Sequence, residues 1–491
     1  MATATNSIEQ AGESRLVLNE DWLSVVIGLF IFALAIAGLS GTDFLGWAVT
    51  TSVWRDFSTA LHPVSKLYAS LGGAGALVAT YLALLTILSA GVSFLQLDVK
   101  RFALAFTGVF VLAYASWIVG SNAYLAAVTP AEQQKFGIGW SLKLTNEGGY
   151  VVALLAGLVI ANFFPRLAAW LNEAIRPELY IKIAIVILGG FLGIVSAEKL
   201  SLATSLMFLG LASIVVAYLI FWSVVYYVAR VWFGFSREWA APLASGISIC
   251  GVSAAIATGA AIRARPVVPV MVSSLVVIFA VVELLVLPFI AGEFLYNQPL
   301  VAGAWMALSV KTDGAAVASG GITEALILSK AAAEGIKYQP GWIVGTSATV
   351  KVFIDIFIGV WAFVLAWIWT KHIDVRKGEQ VRIREIWDRF PKFVIGYVVT
   401  FLIILFIAMT ASAPMVAKVK AAMGEANTFR GIFFVLTFFT IGVMSNFRKL
   451  WEEGIGRLAA VYLLALFGFV IWVGLLISFV FFAGVKPPLV S

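Results

Sequence analysis

Charged side chains occur inside long apolar stretches of the sequence, at Glu283, around Lys311, and at Lys351 and Asp355. A charge at the centre of a bilayer is costly, so such residues are normally functional or paired. Lys351 and Asp355 are four residues apart, a spacing that permits an ion pair on one helix face. We predict that Lys351 binds an anionic substrate, and that Asp355 and Glu283 titrate for coupling. The alternative is a purely structural pair.

Lys311 and Asp313 cannot pair in a regular helix, because residues two positions apart point to different sides. Three glycines, Gly314, Gly320 and Gly321, follow within the same span-length stretch. This composition predicts an interrupted helix, in which Lys311 and the neighbouring Thr312 contact the substrate and Asp313 serves coupling. The alternative is a surface loop.

A second segment, Ala244–Ser253, places small and hydroxyl residues in the middle of an apolar stretch. A helix that unwinds there would present free backbone N–H groups, which can hold an anion near the middle of the membrane. The predicted substrate-binding residues are Ser248, Cys250, Gly251 and Ser253. Close helix packing through small residues would explain the same composition.

The sequence contains no recognisable set of soluble catalytic residues. Its two histidines, His62 and His372, lie outside the candidate segments, and the phosphate-binding motif Gly-x-x-x-x-Gly-Lys-Ser/Thr is missing. Cys250 is the single cysteine, which excludes an intrachain disulfide. We therefore expect neither an enzyme nor a cofactor-dependent or metal-dependent protein.

These residues must be positioned by membrane helices, because 62% of the 491 residues are apolar and only 12% are charged. A soluble domain has about 25% charged residues. Apolar stretches of the length needed to cross a bilayer predict an all-α polytopic protein with about thirteen transmembrane helices. The predicted spans are 22–39, 69–94, 102–127, 146–164, 181–197, 203–229, 240–261, 267–291, 300–321, 341–369, 393–412, 429–446 and 456–484.

The net charge of +7 comes mainly from basic residues between these spans, so it indicates membrane topology rather than nucleic-acid binding. The loop charges favour a cytoplasmic N-terminus and an external C-terminus in a cell membrane. We divide the chain into a polar tail with two extra helices (1–98), a transporter core (99–370), a cytoplasmic linker (371–392) and a final three-helix part (393–491).

Three stretches resemble the YeiH-like family of sulfate exporters. They are Ser248-Ile-Cys250-Gly251 with the small residues that follow, the late segment from Asn427 to Gly442, and the early segment Tyr150–Pro165. The likeness covers roughly residues 100–484. It implies a relation to sodium/proton antiporters and sodium/bile-acid symporters, with inverted repeats, a scaffold, a mobile core and crossed interrupted helices. Dimers are common in that fold group, so the resemblance also implies a homodimer.

The chain departs from the family pattern close to the predicted site. Lys311-Thr312 stands where members tend to have His-Glu, Ile354 replaces an expected arginine, and Lys182 replaces another. The implied fold is unaffected by these departures. They bear instead on the coupling mechanism and on the identity of the substrate that the resemblance implies.

The sequence favours a secondary-active transporter that exports a small anion, such as sulfate, sulfite or a sulfonate, coupled to H⁺ or Na⁺. A cation/proton antiporter that uses the same carboxylates is the alternative. A membrane receptor or assembly subunit without flux is a third hypothesis, for which we would expect a sizeable soluble domain.

Overall fold

The computed structural model describes residues 19–127, 130–142, 148–198, 200–251, 253–265, 267–373, 391–446 and 456–490. Within these ranges the chain is almost entirely helical. One small antiparallel pair, β1 (Val49–Thr51) and β2 (Leu61–Pro63), places Thr50 opposite His62. Most of the predicted linker, residues 374–390, lies outside the described residues.

The helices follow one another with short connections. Their bounds are α1 Glu20–Ala37, α2 Gly72–Phe94, α3 Val99–Gly120, α4 Ala123–Ala126, α5 Pro130–Lys135, α6 Gly148–Phe163, α7 Pro165–Leu171, α8 Pro177–Glu198, α9 Leu200–Tyr227, α10 Arg237–Ser248, α11 Ser253–Ala261, α12 Val267–Phe294, α13 Pro299–Ser309, α14 Asp313–Ala333, α15 Trp342–Ile368, α16 Phe393–Thr410, α17 Ala413–Met444, α18 Gly456–Ala465 and α19 Ile471–Phe482. A π-helical turn, Leu466–Val470, joins α18 to α19.

Nine helical stretches in the described ranges are long and apolar enough to cross a membrane. A tenth candidate is α6 together with the segment Pro165–Ala174, which is bent away from it by 116°. Helix α12 is 28 residues long and strongly apolar as well. The prediction of an all-α polytopic membrane protein is confirmed.

Ion pairs at the start of α1 show how α1 is oriented relative to α8. Glu20 pairs with Arg176, and Asp21 accepts from the Lys182 Nζ at 2.7 Å. The first turn of α1 therefore lies beside the first turn of α8, so the two helices run in the same direction. We call the membrane face at Asn19 the N face and the opposite face, where Gly484 lies, the C face. The assignment of the N face to the cytoplasm stays a prediction.

The long helices form two packed groups. In the first group, α8 contacts α1, α16 and α17, while α6 contacts α3 and α17. In the second group, α12 and α15 surround α10, α11, α13 and α14, and α9 and α19 pack alongside. Helix α1 is thus an integral part of the first group, although it lies outside the region of family likeness. The proposed domain boundaries stay predictions.

The predicted span 240–261 does not cross the membrane. Its helices α10 and α11 are joined by a sharp turn, because Ile249 adopts φ −113° and ψ −92°. The Thr258 Oγ1 donates to the Ser245 Oγ at 2.7 Å, although 13 residues of straight helix would separate them by about 20 Å. The two helices form an antiparallel re-entrant hairpin, hairpin 1, which returns to the N face.

The predicted span 300–321 is also a re-entrant hairpin, hairpin 2, made of α13 and α14. Gly303 lies against the Ile343 carbonyl and Gly320 lies against the Ser347 side chain, so both arms contact the same turns of α15. In a continuous helix these glycines would be about 25 Å apart. The sequence therefore predicted an interruption in each segment. The non-helical stretch expected over Lys311–Gly321 is shorter than predicted, because α14 begins at Asp313, and the reversal of direction at each interruption was missed.

The lengths of the first arms place both hairpin tips near the middle of the membrane. Helix α10 has 12 residues and α13 has 11, which correspond to about 18 Å and 16 Å of rise. Hairpin 1 enters from the N face and hairpin 2 from the C face, and the hydrocarbon core is about 30 Å thick. The tips can therefore meet. The inverted repeat implied by the resemblance stays a prediction.

Helices of the first group approach one another closely at glycine residues. A Cβ atom on Gly442 of α17 would lie 2.4 Å from the Leu154 carbonyl oxygen, and one on Gly193 of α8 would lie 2.7 Å from the Phe401 carbonyl oxygen. Both glycines belong to similar sequence stretches, Gly193–Leu200 and Gly442–Leu450. Close helix approach accounts for the glycine that the two stretches share.

We expect Gly442→Ala to destabilise the protein by about 1–3 kcal/mol, because the neighbouring atom is backbone and cannot turn away. Gly424→Ala on the same helix is the matched control, since a Cβ atom there meets nothing within 4 Å. Thermal unfolding of the purified variants in detergent measures the difference. Equal melting temperatures for the two variants would contradict the close contact.

Candidate functional site

The candidate site is built on the tip of hairpin 1, residues 249–251. Gly246 approaches Gly251 and Ala255 closely, so small residues let the two arms come together. Trp222 of α9 donates from its Nε1 to the Ser245 Oγ at 3.0 Å and ties the hairpin to α9. A Cβ atom on Gly251 would lie 1.8 Å from the Val276 side chain, which excludes any larger residue at this position unless α12 moves.

The tip of hairpin 2 is the extended segment from Val310 to Thr312. The Thr312 Oγ1 caps α14 by accepting from the Ala315 backbone N–H at 3.2 Å. Glu283 of α12 accepts from the Lys311 backbone N–H at 3.2 Å through its Oε2. The tip is thus held by its own helix cap and by a carboxylate from a neighbouring helix.

The two tips are joined by a backbone hydrogen bond. The Gly251 N–H donates to the Lys311 carbonyl oxygen at 2.5 Å. Both residues are non-helical, so neither backbone group has a partner within its own helix. The contact satisfies a donor of one hairpin with an acceptor of the other, at a depth where water is scarce.

Both lysines are almost completely buried, each with 1% exposure. The Lys351 Nζ donates to the Ile249 carbonyl at 3.0 Å, at the end of α10. The Lys311 Nζ donates to the Leu308 carbonyl near the end of α13 and lies 5.0 Å from the centre of the Phe221 ring. Each ammonium therefore meets the negative end of a first-arm helix.

Two buried carboxylates complete the charged cluster. Glu283 interacts electrostatically with both Lys311 and Lys351. Asp355, with 1% exposure, lies one helical turn beyond Lys351 on α15. The cluster therefore combines positive and negative side chains in one buried region, the setting in which their interactions are strongest.

Two tyrosines beside the carboxylates were missed by the sequence analysis. Tyr462 of α18 interacts electrostatically with Glu283, and Tyr218 of α9 interacts with Asp355. In the described part of the chain, neither hydroxyl nor the Glu283 Oε1 has a hydrogen-bond partner. No local sequence signal distinguishes these tyrosines from ordinary residues of apolar helices. Phe221 was missed for the same reason.

The structure brings together most of the residues singled out from the sequence. Cys250 is buried in the tip of hairpin 1 and interacts electrostatically with Lys311. Ser248 ends α10, and its buried Oγ has no hydrogen-bond partner among the described residues. Ser253 begins α11 and Asp313 begins α14, but their side chains are outside what the structure describes.

A narrow crevice reaches hairpin 2 from the boundary between the two helix groups. It is lined by Thr312 and Gly314 on one side, by Glu178 and Ile181 of α8, and by Thr437 of α17. Its volume of about 20 Å³ is the space of roughly one water molecule. Thr312 thus lies at the boundary between the two helix groups.

The base of hairpin 1 is closed by an ion pair at the N face. Arg265 donates to the Glu238 Oε1 from its Nε at 2.9 Å and from its backbone N–H at 2.8 Å. These two hydrogen bonds hold the pKa of Glu238 below its usual value. The pair links the start of α10 to the residues that follow α11, so both ends of the hairpin stay together.

Comparison with known proteins gives a family. The profile described as Conserved hypothetical protein 698 matches residues 138–461. A UPF0324 membrane protein of Nitrosomonas europaea is 40% identical over 487 residues, which cover 98% of this chain and 99% of the relative.

Two further relatives match shorter parts. An uncharacterized protein of Archaeoglobus fulgidus is 48% identical over 30% of this chain and 89% of its own length. A UPF0324 membrane protein of Rhodopirellula baltica is 33% identical over 61% of this chain and 51% of its own length. No solved structure matches the chain. The two hairpins and their charged cluster lie within the matched region, and the chain belongs to the Conserved hypothetical protein 698 family of UPF0324 multi-pass membrane proteins.

Proposed function

We propose that this protein is a secondary transporter that moves a small anion through the point where the two hairpin tips meet. The observation that carries the proposal is the hydrogen bond from Gly251 to Lys311, with the buried ammonium groups of Lys311 and Lys351 beside it. Irregular backbone at membrane depth is tolerated only where it is buried in protein or lines a pathway. Charges at such a depth are normally functional.

The lysines have a structural role that is compatible with substrate binding. Their ammonium groups neutralise the carbonyl ends of α10 and α13. An anion that enters between the tips would offer a stronger partner than a neutral carbonyl, because the attraction between two full charges is strong in a buried site. The ammonium groups would then turn from the backbone to the substrate, which links anion binding to the conformation of the tips.

Glu283 is the residue that we assign to proton coupling. Its Oε2 holds the tip of hairpin 2, while its Oε1 has no hydrogen-bond partner in the described ranges. Protonation of this carboxyl would weaken its attraction for the two lysines and leave them more positive toward an anion. An anion and a proton would thus bind together, with Asp355 as a second candidate for the coupling site.

The two helix groups supply the movement that alternating access requires. Thr312 and Gly314 line the boundary crevice, so sliding or tilting of the second group against α8 and α17 would expose hairpin 2. The present arrangement is closed, since the crevice has room for roughly one water molecule. We infer that the hairpins, α12 and α15 move together past the first group.

Sulfate, sulfite and sulfonates are the anions to test first, because of the sequence resemblance to sulfate exporters. A cation/proton antiporter is the second candidate, favoured by the buried Glu283 Oε1, which has no hydrogen-bond partner among the residues that the structure describes. We propose that neither an enzymatic reaction nor a cofactor is involved. A homodimer, an export direction and a choice between H⁺ and Na⁺ belong to the same proposal.

The purified protein in proteoliposomes should exchange labelled sulfate or sulfite across the bilayer. A pH difference across the liposome membrane should change the net rate of anion transport, because the anion and the proton are proposed to bind together. Protein-free liposomes are the control. Sodium/proton exchange without anion flux would establish the antiporter instead, and the absence of every flux would favour a receptor or assembly subunit.

We expect Glu283→Gln to retain anion exchange but lose its response to a pH gradient. The amide oxygen can still accept from the Lys311 backbone N–H, but the amide cannot bind and release a proton as a carboxylate does. Glu293→Gln is the matched control on the same helix, since Glu293 is exposed at the C face and pairs with Lys330. An undiminished pH response in Glu283→Gln would exclude Glu283 as the coupling group.

Lys351→Ala should abolish anion flux, and Lys351→Arg should restore only part of it, because the guanidinium group has a different shape. Lys330→Ala at the C face is the control for removal of a lysine. If Lys351 and Asp355 are merely a structural pair, either single alanine variant should lose about 3–5 kcal/mol of stability. The double variant would then recover both stability and flux. A folded, inactive double variant supports the direct role.

A further inference from the structure

An apolar groove separates the two helix groups in the half of the membrane nearer the C face. Its walls come from α8 and α16 of the first group and from α9 and α15 of the second. Leu192 and Phe401 face Leu206 and Phe353 across it. The groove is distinct from the crevice at Thr312 and contains none of the charged residues of the hairpin site.

The walls of the groove are almost entirely apolar. Their side-chain hydroxyl groups belong to Ser196, Thr349 and Tyr397, and those of Thr349 and Tyr397 are hydrogen-bonded to each other. The groove opens toward the lipid, because Met207, Val398 and Leu402 at its edge are 45%, 39% and 54% exposed. In a bilayer the surrounding phase at this depth is hydrocarbon.

The dimensions of the groove suit a hydrocarbon chain better than a protein helix. The wall formed by α15 runs from Gly341 to Ile356, a rise of about 22 Å. The space in the groove, its open side included, is about 790 Å³, which gives a mean cross-section of about 36 Å² over that length. A helix about 10 Å wide needs roughly 80 Å². A hydrocarbon chain, about 4–5 Å wide by carbon contact distances, fits.

We propose that this groove is a binding site for one acyl chain of a phospholipid from the C-face leaflet. The chain enters at the exposed edge formed by Met207, Val398 and Leu402 and lies along α15 between Gly341 and Ile356. It fills space that would otherwise be a void, and it contacts both helix groups at once. Its contacts on α15, at Thr349 and Val352, flank Lys351 in sequence, so occupancy of the groove also positions the helix that carries the charged residues.

Photo-crosslinking tests this site independently of any transport activity. The full-length protein is reconstituted with a phosphatidylcholine that carries a diazirine near the middle of one acyl chain, irradiated, and digested for mass spectrometry. We expect labelling of Leu192 and Val352, each only 4% exposed, in addition to ordinary lipid-facing residues. Lipid that merely surrounds the protein cannot reach these two walls. Labelling confined to exposed residues would overturn the proposal.

Ala203→Phe fills the groove from α9 and should abolish labelling of Leu192 and Val352 while labelling elsewhere is kept. Val216→Phe is the matched control, because Val216 lies on the same helix, is 37% exposed and does not line the groove. Ala203→Leu, a smaller change, should give a partial loss and serves if the phenylalanine variant unfolds. Unchanged groove labelling in a folded Ala203→Phe protein would refute acyl-chain binding there.

Discussion

The fold depends on one problem of backbone chemistry, which is how two chain reversals can exist in the middle of a membrane. Each reversal leaves N–H and C=O groups without helical partners, and hydrocarbon offers none. The hydrogen bond from Gly251 to Lys311 pairs one such donor with one such acceptor. The lysines satisfy further carbonyl groups, and Glu283 satisfies the Lys311 N–H. The surrounding helices are arranged so that these few partners reach the same point.

The charged residues are stable at this depth because they share partners. An isolated lysine or glutamate would be expelled or neutralised, since burial of an unpaired charge costs several kcal/mol. Here the ammonium groups meet helix carbonyls and a nearby carboxylate, so each charge compensates part of the cost of another. The same interdependence means that a change in the charge of Glu283 must alter the energetics of both lysines. In the proposed transporter, structural support and response to the anion are therefore two roles of one cluster.

The sequence predicted the membrane class, nearly all of the apolar segments and the two interruptions, because these depend on composition along the chain. It also identified Lys311, Lys351, Glu283 and Asp355, since a charge in an apolar stretch is conspicuous. It could not predict that Thr258 returns to Ser245. A helix that continues in the same direction after a break has the same local composition as a hairpin that turns back. Tyr218 and Tyr462 were not predicted for a related reason. Each differs from other tyrosines only in the carboxylate that lies beside it, and tertiary packing decides which carboxylate that is.

The meeting of two hairpins from opposite faces places the Lys311 and Lys351 ammonium groups deep inside the membrane, within the transmembrane potential. An elementary charge moved across the whole membrane gains or loses about 2.3 kcal/mol per 100 mV. A displacement of either ammonium along the membrane normal therefore changes its energy by the fraction of the potential that it crosses. The position of the tips thus makes the membrane voltage itself a force on the site.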